Sequence, residues 1–322
     1  MSQGQFISNC AADTLSQAAL SLKNGALVAF PTETVYGLGA NASNEKAVAR
    51  IYEVKGRPQD HPLILHVASM NDITYWAEEI SDYAIALARA FWPGPMTLIF
   101  QRSENAKDFV TGGQNTVGLR VPDHTLALGL LQECKKIGVH AIAAPSANRF
   151  GHVSPTTAGA VQEEIGAYLA PQDLILDGGP AQVGLESTII DCTGDAPKIL
   201  RPGAITQAMI EEATSLQVSE DKDSQIRVSG SLEKHYAPKA QILLDVQAIT
   251  GQGFIAPVDI ATPPGAIRLA SPANTDEYAR TLYSALRDGD AQGLETIAII
   301  QPSGDGLAIA IRDRLMRASK GR

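Results

Sequence analysis

Val28-Ala29-Phe30-Pro31-Thr32-Glu33-Thr34-Val35-Tyr36-Gly37-Leu38-Gly39 is an apolar run that empties into hydroxyls and a carboxylate. Its first part, Ala26 to Phe30, follows the turn pair Asn24-Gly25 and reads as a buried strand. Pro31 has no N–H to give a sheet ladder, so the strand stops there. Thr32, Glu33 and Thr34 then lie at a strand's carboxyl end, where α/β sheets place ligands. The plainer reading is a turn in which Thr32 or Thr34 caps a following helix. This stretch alone favours the plainer reading, and only complementary chemistry elsewhere in the chain shifts the balance.

Helices and strands alternate outward from it. Helical spacing covers Asp13 to Asn24 and Glu45 to Val54, the latter capped by Asn44 or Ser43 and stopped by Lys55-Gly56-Arg57-Pro58. Further helices span Asp82 to Phe91, Leu126 to Ile137, and Thr156 to Ile165 with Ser154 or Thr156 at its cap. Strands are expected at Leu63 to Val67, Met96 to Phe100, Thr116 to Val121, Ala141 to Ala144, Leu174 to Gly179, Ser187 to Asp191 and Lys198 to Gly203. This is an α/β (α+β) domain over residues 1–210. Glu211 to Glu233 is acidic and poor in large apolars, so 211–240 reads as the end of a helix and a solvated linker. From Gln241 the α/β pattern restarts, giving a small second domain over 241–322 with a parallel sheet.

With 322 residues, two domains are expected. No window reaches the ~20 apolar residues of a spanning helix, and Met1 to Gln5 shows no export signal. Cys10, Cys134 and Cys192 have neither disulfide nor metal spacing, which fits a cytoplasmic protein without a structural zinc. A net charge of −9 argues against a nucleic-acid-coating surface, since phosphate binding needs a basic face.

The candidates for chemistry sit where elements end. Thr32 and Thr34 follow the first strand, Lys55 and Arg57 flank Gly56, and Arg120 follows Val117-Gly118-Leu119. Ser146 and Asn148 follow Pro145, Ser187 precedes Thr188-Ile189-Ile190, and Arg201 precedes Pro202-Gly203. If these ends share one edge, four cations and several hydroxyls surround a cavity suited to a polyanion. Taken singly, each cation is more simply a solvated charge. The flanking prolines and glycines favour the cavity, because they fix backbone geometry that a surface charge does not need. His61 and His66 flank the second strand and divide evenly between structural and ligand-contact roles. Gly37-Leu38-Gly39-Ala40-Asn41-Ala42 fits G-x-G-x-x-A, but its glycines come late and Arg57 stands where an acid belongs. P-loop, H-E-x-x-H, C-x-x-C and G-x-S-x-G patterns are absent.

Five segments together carry a resemblance: Phe30 to Leu38, Lys55-Gly56-Arg57-Pro58, Trp92-Pro93-Gly94-Pro95-Met96-Thr97, Ala144-Pro145-Ser146-Ala147-Asn148 and Glu186-Ser187-Thr188-Ile189-Ile190. In this order they resemble the YrdC-like family. Leu200-Arg201-Pro202-Gly203 and Lys234-His235-Tyr236-Ala237-Pro238, followed by an α/β tail, resemble its long two-domain form, the branch that makes threonylcarbamoyl-AMP.

The resemblance implies a twisted mixed sheet flanked by helices around a basic cavity, with a Rossmann-like second domain. It implies a nucleotidyltransferase of tRNA processing that converts L-threonine, bicarbonate and ATP, with Mg2+, to L-threonylcarbamoyladenylate and pyrophosphate. A downstream complex would transfer the group to tRNA beside the anticodon, with direct tRNA contact optional. By family likeness Thr34, His66, Arg120 and Ser187 would hold threonine. Lys55, Arg57, His61, Thr116, Ser146, Asn148, Ser154, Arg201 and Tyr236 would hold ATP, with Lys55 and Arg57 stabilising the reacting charges and Tyr236 closing over the nucleotide. Two other readings remain: an RNA-binding or RNA-maturation module, against which the negative charge counts, and a carbamoyltransferase of the hydrogenase-maturation type, whose zinc-finger modules three scattered cysteines do not supply.

Overall fold

The computed structural model describes residues 4–7, 12–219, 225–230 and 235–321. Cys10 and Lys234 of the Lys-His-Tyr-Ala-Pro stretch fall outside these residues, as do 220–224 and 231–233 of the expected linker.

A large mixed sheet forms the first unit. Its strands are β1 (Gln5–Ile7), β2 (Val28–Phe30), β3 (Gly37–Asn41), β4 (Ile64–His66), β5 (Ala77–Glu78), β6 (Met96–Arg102), β7 (Thr116–Arg120), β8 (Ile142–Ala143), β9 (Leu174–Leu176), β10 (Thr188–Asp191) and β11 (Lys198–Arg201). Across the sheet they run β1-β9-β2-β3-β8-β4-β7-β6-β10-β11, with β5 on β6. The helices of this unit are α1 (Ala12–Lys23), α2 (Glu45–Lys55), α3 (Ile73–Trp76), α4 (Asp82–Phe91), α5 (Asp108–Thr111), α6 (Thr125–Lys136), α7 (Ala158–Ile165) and α8 (Gln207–Thr214). The second unit carries β12 (Gln241–Leu244), β13 (Gly253–Ile255), β14 (Ile267–Ala270) and β15 (Thr296–Ile299), all parallel in the order β12-β15-β13-β14. Helices α9 (Thr275–Ala291) and α10 (Leu307–Ser319) accompany them. Among the described residues no helix is long and apolar enough to cross a membrane.

The segment after β2 departs from the plainer expectation. Neither Thr32 nor Thr34 caps a helix. Thr32 Oγ1 accepts from the backbone N–H groups of Thr34 and Val35, both at 3.2 Å, and donates to Val35 O at 2.6 Å. This hydroxyl-centred turn sends the chain back as β3, antiparallel to β2. The glycines of the G-x-G-x-x-A pattern are therefore strand residues. A Cβ on Gly39 would lie 2.6 Å from Ile142 Cγ2, so close packing within the sheet accounts for that glycine.

Two further details differ. Helix α7 is capped by Thr157, whose Oγ1 accepts from Ala160 N at 3.2 Å, and not by Ser154 or Thr156. The expected solvated linker is partly packed: Val228 is buried with Ile99 and Ile189, and Ile226 lies against them. Asn44 caps α2 as expected, accepting from Ala47 N at 3.2 Å.

One face of the sheet packs Tyr36, Leu38, Val48, Ile51 and Trp76 into a single core, and Leu22, Phe30, Leu130 and Leu131 form a second with α1 and α6. A third core joins the two units. Val35, Val153, Leu185 and Tyr236 pack there with Tyr278, Tyr283, Leu286 and Ile311. Asp173, fully buried before β9, ties three elements: it accepts from Leu27 N at 2.8 Å, Ala170 N at 2.7 Å and Arg50 of α2 at 2.5 and 3.0 Å. Asp173→Ala should cost about 2–4 kcal/mol, because it strands these buried donors. Urea denaturation measures this, and Asp173→Asn should lie between the two proteins.

Candidate active site

Gly56 ends α2 in the left-handed region (φ 62°), and its N–H bonds Glu53 O at 3.1 Å. The reversal sends the two neighbouring cations different ways. Lys55 turns inward, and its Nζ donates to the carbonyls of Ser146 and Asn148, each at 2.5 Å. Arg57 enters a cleft, where Nη2 donates to Pro62 O at 2.9 Å and Ser229 Oγ at 3.1 Å. Arg120 ends β7 with Nη2 2.8 Å from Glu33 Oε1, within ion-pair reach but off hydrogen-bond alignment. Arg201 ends β11 and donates to Ser187 O from Nε (3.1 Å) and Nη2 (2.8 Å), and to Ser229 O from Nη1 at 2.8 Å.

These ends meet at one cleft of about 540 Å³. Thr34, Arg57, His66, Arg120, Ser146, Ser187, Arg201 and Tyr236 line it, as the sequence places them together. The others stand outside the lining. Lys55 and Asn148 lie behind the wall, where Asn148 Nδ2 donates to the carbonyls of Arg149 and His152 at 2.7 and 2.9 Å. Ser154 Oγ donates to Glu186 Oε1 at 2.6 Å. Thr116 borders an adjoining groove beneath Arg227 to Ser229, and His61 sits edge-on to Phe150, ring centres 5.4 Å apart. Thr32, one of the strand-end candidates, lines the cleft too, as do Glu186, Ser229, Gly230 and His235, which were not singled out as site residues. Glu186 and His235 lie inside quoted motifs, but nothing in sequence spacing marks Ser229 and Gly230.

The electrostatics favour an anion. Arg57, Arg201 and Lys55 are anchored chiefly by carbonyls and hydroxyls, so their positions are fixed while their charges are left largely uncancelled. Burial pulls the Arg57 guanidinium down to about 10, and burial with neighbouring Arg57 pulls Lys55 well below the usual lysine range. Burial pushes the Glu186 carboxyl up, but Arg314, Arg201 and the Ser154 bond together outweigh it and hold it at about 2. Glu186 Oε2 accepts from Arg314 Nε and Tyr283 OH, both at 2.9 Å, so the second unit supplies its counter-charge. Arg314 also lies over the Tyr236 ring, 5.2 Å from its centre.

Polar atoms buried without a hydrogen-bond partner among the described residues gather here: both Glu33 oxygens, Arg57 Nε, His66 Nδ1, Arg120 Nε, His235 Nδ1 and Tyr236 OH. Each such group costs about 1–3 kcal/mol unless a ligand meets it. Among the described residues no three His, Cys, Asp or Glu side chains gather as a metal site.

The comparisons with known proteins cover both units. A family model described as "Telomere recombination" (Sua5_yciO_yrdC) matches residues 21–203. A second, "Threonylcarbamoyl-AMP synthase, C-terminal domain", matches residues 205–320. Threonylcarbamoyl-AMP synthase of Pyrococcus abyssi is 38% identical over 94% of this chain and 93% of its own length. That of Bacillus subtilis is 38% identical over 96% and 93%. The crystal structure of P. abyssi Sua5 complexed with L-threonine superposes with a TM-score of 0.87 at 35% identity, covering 99% of this chain and 97% of that one. With matches of this extent across both units, the chain belongs to the two-domain threonylcarbamoyl-AMP synthase family of YrdC-like proteins.

Proposed function

We propose that this chain joins L-threonine, bicarbonate and ATP into L-threonylcarbamoyladenylate and pyrophosphate, for threonylcarbamoylation of the adenosine beside the anticodon of certain tRNAs. The observation that carries the reading is the convergence of Arg57, Arg120 and Arg201, with Thr34, Ser146 and Ser187, on one cleft. The L-threonine complex of the P. abyssi relative supports an amino-acid site in this fold.

The chemistry needs no enzyme nucleophile. The threonine amine and bicarbonate give a carbamate and water. A carbamate oxygen then attacks the α-phosphorus, and the bond to the β-phosphate breaks to release pyrophosphate. Holding the three reactants in register can supply about 7–11 kcal/mol of the barrier. Arg120, steadied by Glu33, takes the threonine carboxylate, with Thr34, His66 and Ser187 around it. Arg57, Arg201, Ser146 and Tyr236 take the nucleotide, stabilising charge that grows on the phosphates. Lys55, Asn148, Ser154, Thr116 and His61 surround this set, and Lys55 adds positive potential from behind the wall. Mg2+ belongs to this scheme as part of the substrate MgATP; the described residues offer no carboxylate cage for a resident ion. The work is divided among a catalytic unit (1–210), a strap (211–240) that covers the nucleotide through Tyr236, and a C-terminal unit (241–322). The setting is the cytoplasm, where ATP, bicarbonate and the tRNA-modifying complex that accepts the product are found.

Pyrophosphate release should require both L-threonine and bicarbonate; release without threonine would overturn the reading. Arg57→Ala should lower threonine-dependent release at least ~100-fold, as for loss of one charge-stabilising donor, with an unchanged circular dichroism spectrum. Burial holds both His66 and His235 at about 3, so both are neutral at working pH. In the unfolded chain they take up protons near pH 6.5. The unfolded state therefore binds more protons between pH 6.5 and 3, and stability falls as pH drops through that window. Each histidine should contribute a slope of up to about 1.4 kcal/mol per pH unit, read from urea titrations. Replacing either histidine by Gln should flatten the profile.

A further inference from the structure

The segment Trp92-Pro93-Gly94-Pro95-Met96-Thr97 ends on a threonine that does not line the cleft. Thr97 lies on β6 and Ser187 immediately precedes β10; these strands run parallel, with Thr188 opposite Met96. The two side chains meet in the interior. Thr97 Oγ1 lies 2.7 Å from Ser187 Oγ, and the residues are 0% and 1% exposed.

Proton inventory decides the direction of this bond. A hydroxyl has one hydrogen to give and two lone pairs to fill. Among the described residues Ser187 Oγ is the hydrogen-bond partner of Thr97 Oγ1. Were Ser187 the donor, the Thr97 hydrogen would be buried with no acceptor, which is the costly arrangement. Thr97 therefore donates. Arg201 Nη2 donates to the same Ser187 oxygen at 3.1 Å. Both lone pairs of Ser187 are then occupied, and its own hydrogen remains for the cleft that the side chain lines.

We infer that Thr97 is a positioning residue that makes Ser187 an obligate hydrogen-bond donor, so that Ser187 reads an anionic oxygen of the amino-acid substrate and not its ammonium group. The inference rests on the proposed amino-acid site and specifies its polarity. The oxygen belongs to the substrate carboxylate or to the carbamate formed on its amine, which share the same acceptor chemistry.

Thr97→Val removes the donor and nearly keeps the shape, whereas Thr97→Ser keeps the hydroxyl. In Thr97→Val, L-threonine affinity should weaken about 5- to 20-fold, the loss expected when a donor to a charged oxygen is misdirected. The KM for MgATP should stay within about twofold, and Thr97→Ser should return threonine affinity to within about twofold of the parent. Thr97→Val with Ser187→Ala should bind no more weakly than Ser187→Ala alone, because the two hydroxyls act as one unit. Calorimetry with L-threonine alone identifies the carboxylate if it registers the loss; a loss seen only in turnover with bicarbonate identifies the carbamate. Unchanged threonine affinity in Thr97→Val, an equal loss in Thr97→Ser, or a parallel rise in the MgATP KM overturns the inference. If the valine variant folds poorly, Thr97→Ala against Thr97→Ser gives the same comparison. A parent protein that binds no L-threonine would fail the site reading itself, which separates the two failures.

Discussion

Several like charges buried within one cleft repel one another and lose hydration, so they persist only where fixed dipoles replace water. In this protein backbone carbonyls do most of that work. Pro62, Ser146, Asn148, Ser187 and Ser229 each turn an oxygen toward Lys55, Arg57 or Arg201. A carbonyl steadies a cation without cancelling it, whereas a carboxylate does both. The positive potential is thereby kept for an incoming anion. Arg120, the cation assigned to the amino acid, has the Glu33 carboxylate within ion-pair distance.

The second unit extends this arrangement. Glu186 is a buried carboxylate at the wall of a cationic cleft, and left to itself it would neutralise Arg201. Arg314 and Tyr283 take its Oε2, while Ser154 takes Oε1. The acid becomes a fixed joint between units, held at about 2, and does not serve as a proton acceptor at neutral pH. The same arginine lies against the ring of Tyr236, whose hydroxyl has no hydrogen-bond partner among the described residues. Docking of the C-terminal unit and orientation of Tyr236 are thus one packing event within the shared apolar core.

Much of this was legible in the sequence. Loop cations flanked by glycine and proline stood out because ordinary surface charges need no such backbone, and Arg57, Arg120 and Arg201 do converge. Apolar runs and cap residues located most elements within a few residues, Asn44 among them. The turn at Thr32 is ambiguous in the sequence because a threonine after a strand suits a helix cap and a hairpin loop equally. Only pairing with β2 selects β3, and pairing is not local. Ser229 and Arg314 were invisible for a related reason. Their partners Arg57 and Glu186 lie 172 and 128 residues away in the chain, a distance that periodicity cannot register. Family likeness assigns Lys55 to the nucleotide; the left-handed Gly56 separates it from Arg57 and directs it into the wall.

Those long separations bear on how the protein comes into being. The cleft has no local precursor: its floor, walls and cover are brought together from segments between Thr32 and Tyr236, and the joint at Glu186 closes only when Arg314 arrives. Before Arg314 is made, Glu186 has Arg201 as its neighbouring cation, and only the later unit shifts that partnership to its own arginine. The joint that steadies the cleft wall thus depends on residues made long after the wall itself.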